Sequence, residues 1–180
     1  MRAAVPVSLA ALAIAWTWPA VVTDGLVGRQ PDAAGTAWFL SAAPRLAESL
    51  RDPLTGWPAG VEYGRPDSWT MIVLGALLDG ASPARVHAWV GVLGVFASAW
   101  AAEGFARALG AKAPWSLVAG AAFAFGGLAG TAWLEGYTYH LADPWLPLFA
   151  WAWWRATSPD GRVVHGLAAA GAFLLTLWTT

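Results

Sequence analysis

From Pro114 to Leu134, "PWSLVAGAAFAFGGLAGTAWL", the chain carries no charged side chain. A run of that length matches what a helix needs to cross a bilayer, since about 20 apolar residues rising about 1.5 Å each cover roughly 30 Å of hydrocarbon. Backbone polar groups in such a run have no water to turn to, and a helix satisfies them internally. Further apolar segments run from about Val5 to Val22, from Val86 to Glu103, from Tyr137 to Trp154 and from Val163 to Thr180. Hydrophobic residues make up 58% of the chain, charged residues 12%, and 14 of its 180 residues are Trp. This lies far from the profile of a water-soluble domain. The sequence therefore predicts an all-α fold: one polytopic helical membrane domain over 1–180, with about five transmembrane helices. A structured outer loop, 23–85, is inserted between the first two.

The first segment contains "VSLAALAIAW", which resembles a signal-peptide core. No clean small-x-small site precedes a hydrophilic start, so it reads as an uncleaved first helix. The formal net charge of -1 gives no basic surplus to draw the chain to nucleic acid. The absence of Cys excludes disulfides, thiolate metal sites and thiol catalysis.

Charge placement sets an expected orientation. Arg2, Arg107, Lys112, Arg155 and Arg162 flank the segment ends that share one side if the spans alternate, and that side is then cytoplasmic. The amino terminus is expected there, in a bacterial inner or plasma membrane, with 23–85 extracytoplasmic. Trp115 and Trp133, about 27 Å apart along a helix, suit the two interfaces, and Trp151, Trp153 and Trp154 crowd the end before Arg155.

Within 23–85, Phe39, Ala43, Leu46 and Leu50 recur at helical spacing opposite Ser41, Arg45, Glu48 and Asp52. That pattern predicts an amphipathic helix on the membrane surface, from about Thr36 to Leu50. Pro44 predicts a kink in it or two abutting helices. "RDPLTGWPAGVEYGRPD" reads as ordered turns, and Trp69 to Leu78 as a half-span that ends at Asp79-Gly80.

Six residues are candidates for chemistry, and each has a plainer role open to it. Asp32, after Pro31, suits a general base where a lipid headgroup meets water, or an N-terminal cap. Asp24 suits a second carboxylate or a turn with Gly25. Arg29 could grip a phosphate through its guanidinium fork, or simply be solvated. His140 and Asp143, with Glu135, sit at the rim of an apolar segment, where ionisable groups point to function. Asp143-Pro144 equally suits a cap followed by a helix starting at Pro144. Glu103 reads as helix termination, and Gly126 with Gly130 as a close-packing pair. Nucleotide-cradling glycine loops, metal-ligand helices and nucleophile elbows are absent from the sequence.

The order of these features resembles the GT-C superfamily of multi-pass membrane glycosyltransferases, including the YfhO-like bacterial membrane proteins. The stretches that carry the likeness are "PDAAGTAWFL", "DPLTGWPAGVEYG", "FARALGAKAPWSLVAGAAFAFGG" and "YTYHLADPWLPLFAWAWWR", which together span nearly the whole chain. Where the family often has Gly-Asp and Gly-His, this chain has Pro-Asp and Tyr-His. The resemblance implies a sugar moved from a polyprenyl-phosphate donor in the lipid bilayer to a glycan, lipid or protein acceptor. Asp32 matches the family's acidic loop residue, which serves as base or metal ligand. Arg29, Glu135, His140 and Asp143 would bind substrate. The resemblance firmly implies no cofactor and is compatible with a divalent cation. The rival expectation is a non-catalytic scaffold, transporter or flippase component. The last apolar segment has no closing charge, so further helices or another subunit are expected as partners.

Overall fold

In the computed structural model the described residues are 4–18, 20–23, 31–49, 51–52, 61–62, 75–78, 80–126, 130–131, 134 and 144–179. For 31–34, 36, 47–49, 51–52, 61–62 and 177–179 only the backbone is described. Among these residues the longer helices are α1 (Ala4–Thr17), α2 (Pro31–Ser49), α3 (Pro83–Ala108), α4 (Trp115–Ala124), α5 (Trp145–Thr157) and α6 (Val163–Thr179). A 3₁₀ turn covers Ala20–Val22. The all-α expectation holds apart from one short ladder. β1 (Arg51–Asp52) pairs antiparallel with β2 (Val61–Glu62), Arg51 opposite Glu62 and Asp52 opposite Val61. These strands bracket part of the Pro- and Gly-rich stretch read as turns, whose residues 53–60 lie outside the described set.

Local chemistry fixes both ends of α3. The Ser82 side chain accepts a hydrogen bond from the Arg85 backbone N–H at 3.3 Å, and Pro83 occupies the first turn, where its missing N–H costs nothing. At the other end Gly110 adopts φ +96°. Its N–H donates to the Arg107 carbonyl at 3.0 Å, and the Ala111 N–H donates to the Ala106 carbonyl at 3.0 Å. That paired closure is the Schellman arrangement, which needs a left-handed residue at the glycine position.

With 26 residues, α3 is about 39 Å long. It is the one described helix long and apolar enough to cross a membrane. The other apolar helices, Ala4–Thr17, Trp115–Ala124 and Val163–Thr176, are shorter. The expectation of five full spans thus reduces, among the described residues, to one helix of spanning length. The first apolar segment reaches Val22, but its helix stops at Thr17. Trp18 precedes Pro19, and a residue before proline is disfavoured in the helical region. In the fourth segment the described helix starts at Trp145, directly after Pro144 and one residue from the alternative start read from the sequence; residues 137–143 lie outside the described set.

Side-chain pairings give the helix directions. Ser116 meets Glu103 and Gly120 meets Ala99, so α4 runs antiparallel to α3. Trp151 lies on Gly104 and Trp154 bonds to Ala108, so α5 runs parallel to α3. Phe149 meets Phe173 with ring centroids 5.6 Å apart, and a short turn over 158–162 joins antiparallel α5 and α6. Trp16 meets Phe125 at 5.9 Å, which puts the end of α1 beside the end of α4. Arg107, Lys112, Arg155 and Arg162 therefore gather at one end of the bundle, called here the basic end. Leu9, Ala13, Ala88, Val92, Val95, Ala99 and Ala124 form the core between α1, α3 and α4.

At the opposite end α2 docks on α3, with Leu40 in contact with Val86 and Val90. Its buried residues are Ala37, Leu40, Ala42, Ala43 and Leu46, a wider stripe than the one predicted. The helix runs through Pro44 as one element, so the expected alternative of two abutting helices does not hold. Pro44 cannot donate to the Leu40 carbonyl, and that carbonyl faces Gly75. A Cβ on Gly75 would lie 2.9 Å from the Leu40 oxygen and 2.6 Å from the Ala43 Cβ.

Candidate functional site

Asp32 lies in the first turn of α2, where a carboxylate is favoured by the unpaired N–H groups and the helix dipole. Its side chain is outside the described set. Asp24, Arg29, Glu135, His140 and Asp143 also lie outside the described residues. What the fold supplies around Asp32 is a support. α2 is held through Leu40, with Phe39 beside it, against Val86 and Val90 at the end of α3 remote from the basic loops.

A second polar site, at the basic end, is described in full, and the sequence reading did not find it. Glu103 is not a terminator: it sits inside α3 with only 3% of its surface exposed. The Ser116 hydroxyl donates to its Oε1 at 2.9 Å, and the Arg107 Nη1 lies 3.7 Å from the same oxygen. Gly120 makes this approach possible, because a Cβ there would come 2.5 Å from the Ala99 carbonyl and 3.0 Å from the Glu103 Cβ. Ser116, Gly120 and Ala124 are the buried residues of α4, a small-residue seam at every fourth position. The pair expected to pack closely, Gly126 and Gly130, meets no neighbouring helix among the described residues: a Cβ on Gly126 would meet carbonyls of its own chain segment, the nearest that of Ala122, and one on Gly130 would meet no described atom within 4 Å.

Outside the seam, a half-open groove of about 480 Å³ lies between α3 and α5, lined by Trp100, Glu103, Arg107, Trp151 and Arg155. Trp151 comes close because Gly104 has no side chain: a Cβ there would lie 2.8 Å from the Trp151 ring. The Trp154 indole N–H donates to the Ala108 carbonyl at 3.2 Å, tying the ends of α3 and α5 together. A second cleft of about 370 Å³, mostly apolar, continues on the far side of Trp151 and Arg155, bounded by Leu148, Ala152, His165 and Ala168. His165 Nδ1 accepts from the Arg162 backbone N–H at 3.2 Å, so its donor is Nε2. Chemically the groove offers two guanidiniums, one already shared with Glu103, next to an oily slot. Among the described residues no three His, Asp or Glu side chains come together to hold a metal ion.

Comparisons with models of known protein families, with curated proteins and with solved structures give no match.

Proposed function

We propose that the chain is a membrane glycosyltransferase, or a part of one, that transfers a sugar from a polyprenyl-phosphate donor to an extracytoplasmic acceptor. Asp32 is the base. Its carboxylate takes the proton from the acceptor hydroxyl, the acceptor oxygen bonds to the anomeric carbon, and the bond from that carbon to the phosphate oxygen breaks. The lipid phosphate departs as a stable anion, so no acid is required on that side and one carboxylate suffices for inversion. Asp24 is the second carboxylate of the site, and Arg29, Glu135, His140 and Asp143 bind substrate. In this reading the basic end faces the cytoplasm of a bacterial inner membrane and α2 lies on the outer surface.

The observation that supports this reading is the seat of α2. Asp32 belongs to the first turn of a 19-residue helix clamped to α3 through Leu40, Val86 and Val90. A base must be held in position to act, and a place in the first turn of a helix docked further along does that better than a free loop. The test is sugar transfer by membranes carrying Asp32→Asn. Transfer should fall about 10² to 10⁴-fold with unchanged membrane insertion, and full transfer by that variant would remove Asp32 as the base.

A transporter or scaffold reading draws on a different observation. The one described helix of spanning length buries His87 and Glu103, and ionisable groups inside a span mark ion pathways. It predicts that His87→Ala or Glu103→Gln abolishes function while Asp32→Asn does not.

A further inference from the structure

We propose that the groove at the basic end binds the phosphate headgroup of an anionic membrane lipid, with one acyl chain in the adjoining cleft. Arg107 and Arg155 border the groove from two helices. Of the two, Arg155 has no carboxylate partner among the described residues. Around them, four cations, Arg107, Lys112, Arg155 and Arg162, face two carboxylates, Glu103 and Asp160. Glu103 is already engaged by the Ser116 hydroxyl and by Arg107. The net field therefore favours an anion, and paired guanidinium forks match phosphate oxygens.

A lipid is favoured over a free ion by what adjoins the polar notch. Trp151 and Arg155 line both openings, and beyond them Leu148, Ala152 and Ala168 form an apolar slot, the right neighbour for a hydrocarbon chain. Trp115, Trp153 and Trp154 are exposed at the same end, as side chains at headgroup level are. Val90, where α2 docks, lies about 25 Å along α3 from Arg107, so this site is separate from the donor site of the proposed transfer. The inference rests on the membrane reading of the chain and is independent of the transfer reaction.

The test is native mass spectrometry of the 180-residue chain in detergent, offered phosphatidylglycerol and phosphatidylcholine with the same acyl chains. Phosphatidylglycerol should be retained about tenfold over phosphatidylcholine. Arg107→Gln and Arg155→Gln should each lose most of that preference, and Arg155→Lys should keep part of it. Equal retention of the two lipids by the parent chain overturns the proposal, as does undiminished preference in the double glutamine variant. An excess of inorganic phosphate should leave the lipid in place. Displacement by phosphate alone would mean a free-anion site and would also overturn it. Failure of the membrane reading shows earlier and separately, as a chain that stays monodisperse in water without detergent, and the lipid site then falls with it.

Discussion

Replacing Ser116 with alanine would remove from Glu103 the hydroxyl at 2.9 Å. It would leave Arg107, whose nearest contact is 3.7 Å and whose side chain is half exposed. A buried acceptor deprived of its donor costs about 1–3 kcal/mol, whereas an ion pair open to water is worth about 0–1 kcal/mol. Thermal unfolding in detergent should therefore show Ser116→Ala as clearly destabilising. Glu103→Gln should cost less, because the amide oxygen still accepts from Ser116 and only the weak pair with Arg107 is lost. A larger loss for Glu103→Gln than for Ser116→Ala would mean that Arg107, and not Ser116, holds the carboxylate. The buried role of Glu103 was only partly legible in the sequence. Ala101, Ala102 and Gly104 beside it mark an apolar setting, and Arg107 four residues on marks a pair. What hid the role was the donor, which comes from another helix, 13 residues away along the chain.

Two glycines of the α3–α4 hairpin have different reasons to be glycine. At Gly110 a Cβ would meet nothing within 4 Å, but φ is +96°, so Gly110→Ala carries a backbone penalty of about 1–2 kcal/mol. At Gly120 the backbone is ordinary helix and the space is absent, with the Ala99 carbonyl 2.5 Å from an added Cβ. Gly120→Ala must force α4 away from α3, an overpacking cost of about 1–3 kcal/mol, and it should weaken the Ser116–Glu103 bond with it. Gly166→Ala, with open space around it and inside a helix, is the control and should unfold no earlier than the parent, with a gain of up to about 1 kcal/mol. The positions of the helices were readable because long apolar runs and flanking Pro and Ser mark them. The face each helix buries was not. α4 is apolar around its whole circumference, so no polar side marks the opposite one, and only the small residues Ser116, Gly120 and Ala124 carry the information. Pro44 does not divide the helix: the usual cost of an internal proline refers to an isolated helix, and here Leu40 and Ala43 are packed closely against Gly75.

Across the whole molecule the helix directions bring Arg107, Lys112, Arg155 and Arg162 to one end and α2 to the other. The alternation read from the charges anticipated that division, because charged loop residues cannot enter hydrocarbon and so record which ends lie together. The candidate catalytic residues were legible only as types in a polar stretch, and their mutual geometry depends on segments outside the described residues. The central claim is that this is a membrane bundle with its basic end inside the cell and α2 outside. The chain has no Cys, so single cysteines can be introduced without background. The measurement is labelling of Thr55→Cys and Asp160→Cys variants in intact cells with an impermeant thiol reagent, before and after permeabilisation. The account predicts that the Thr55→Cys variant reacts in intact cells and the Asp160→Cys variant only after permeabilisation. The reverse pattern would contradict the orientation, and labelling of both only after permeabilisation would contradict an extracytoplasmic 23–85 segment and the site assigned to it.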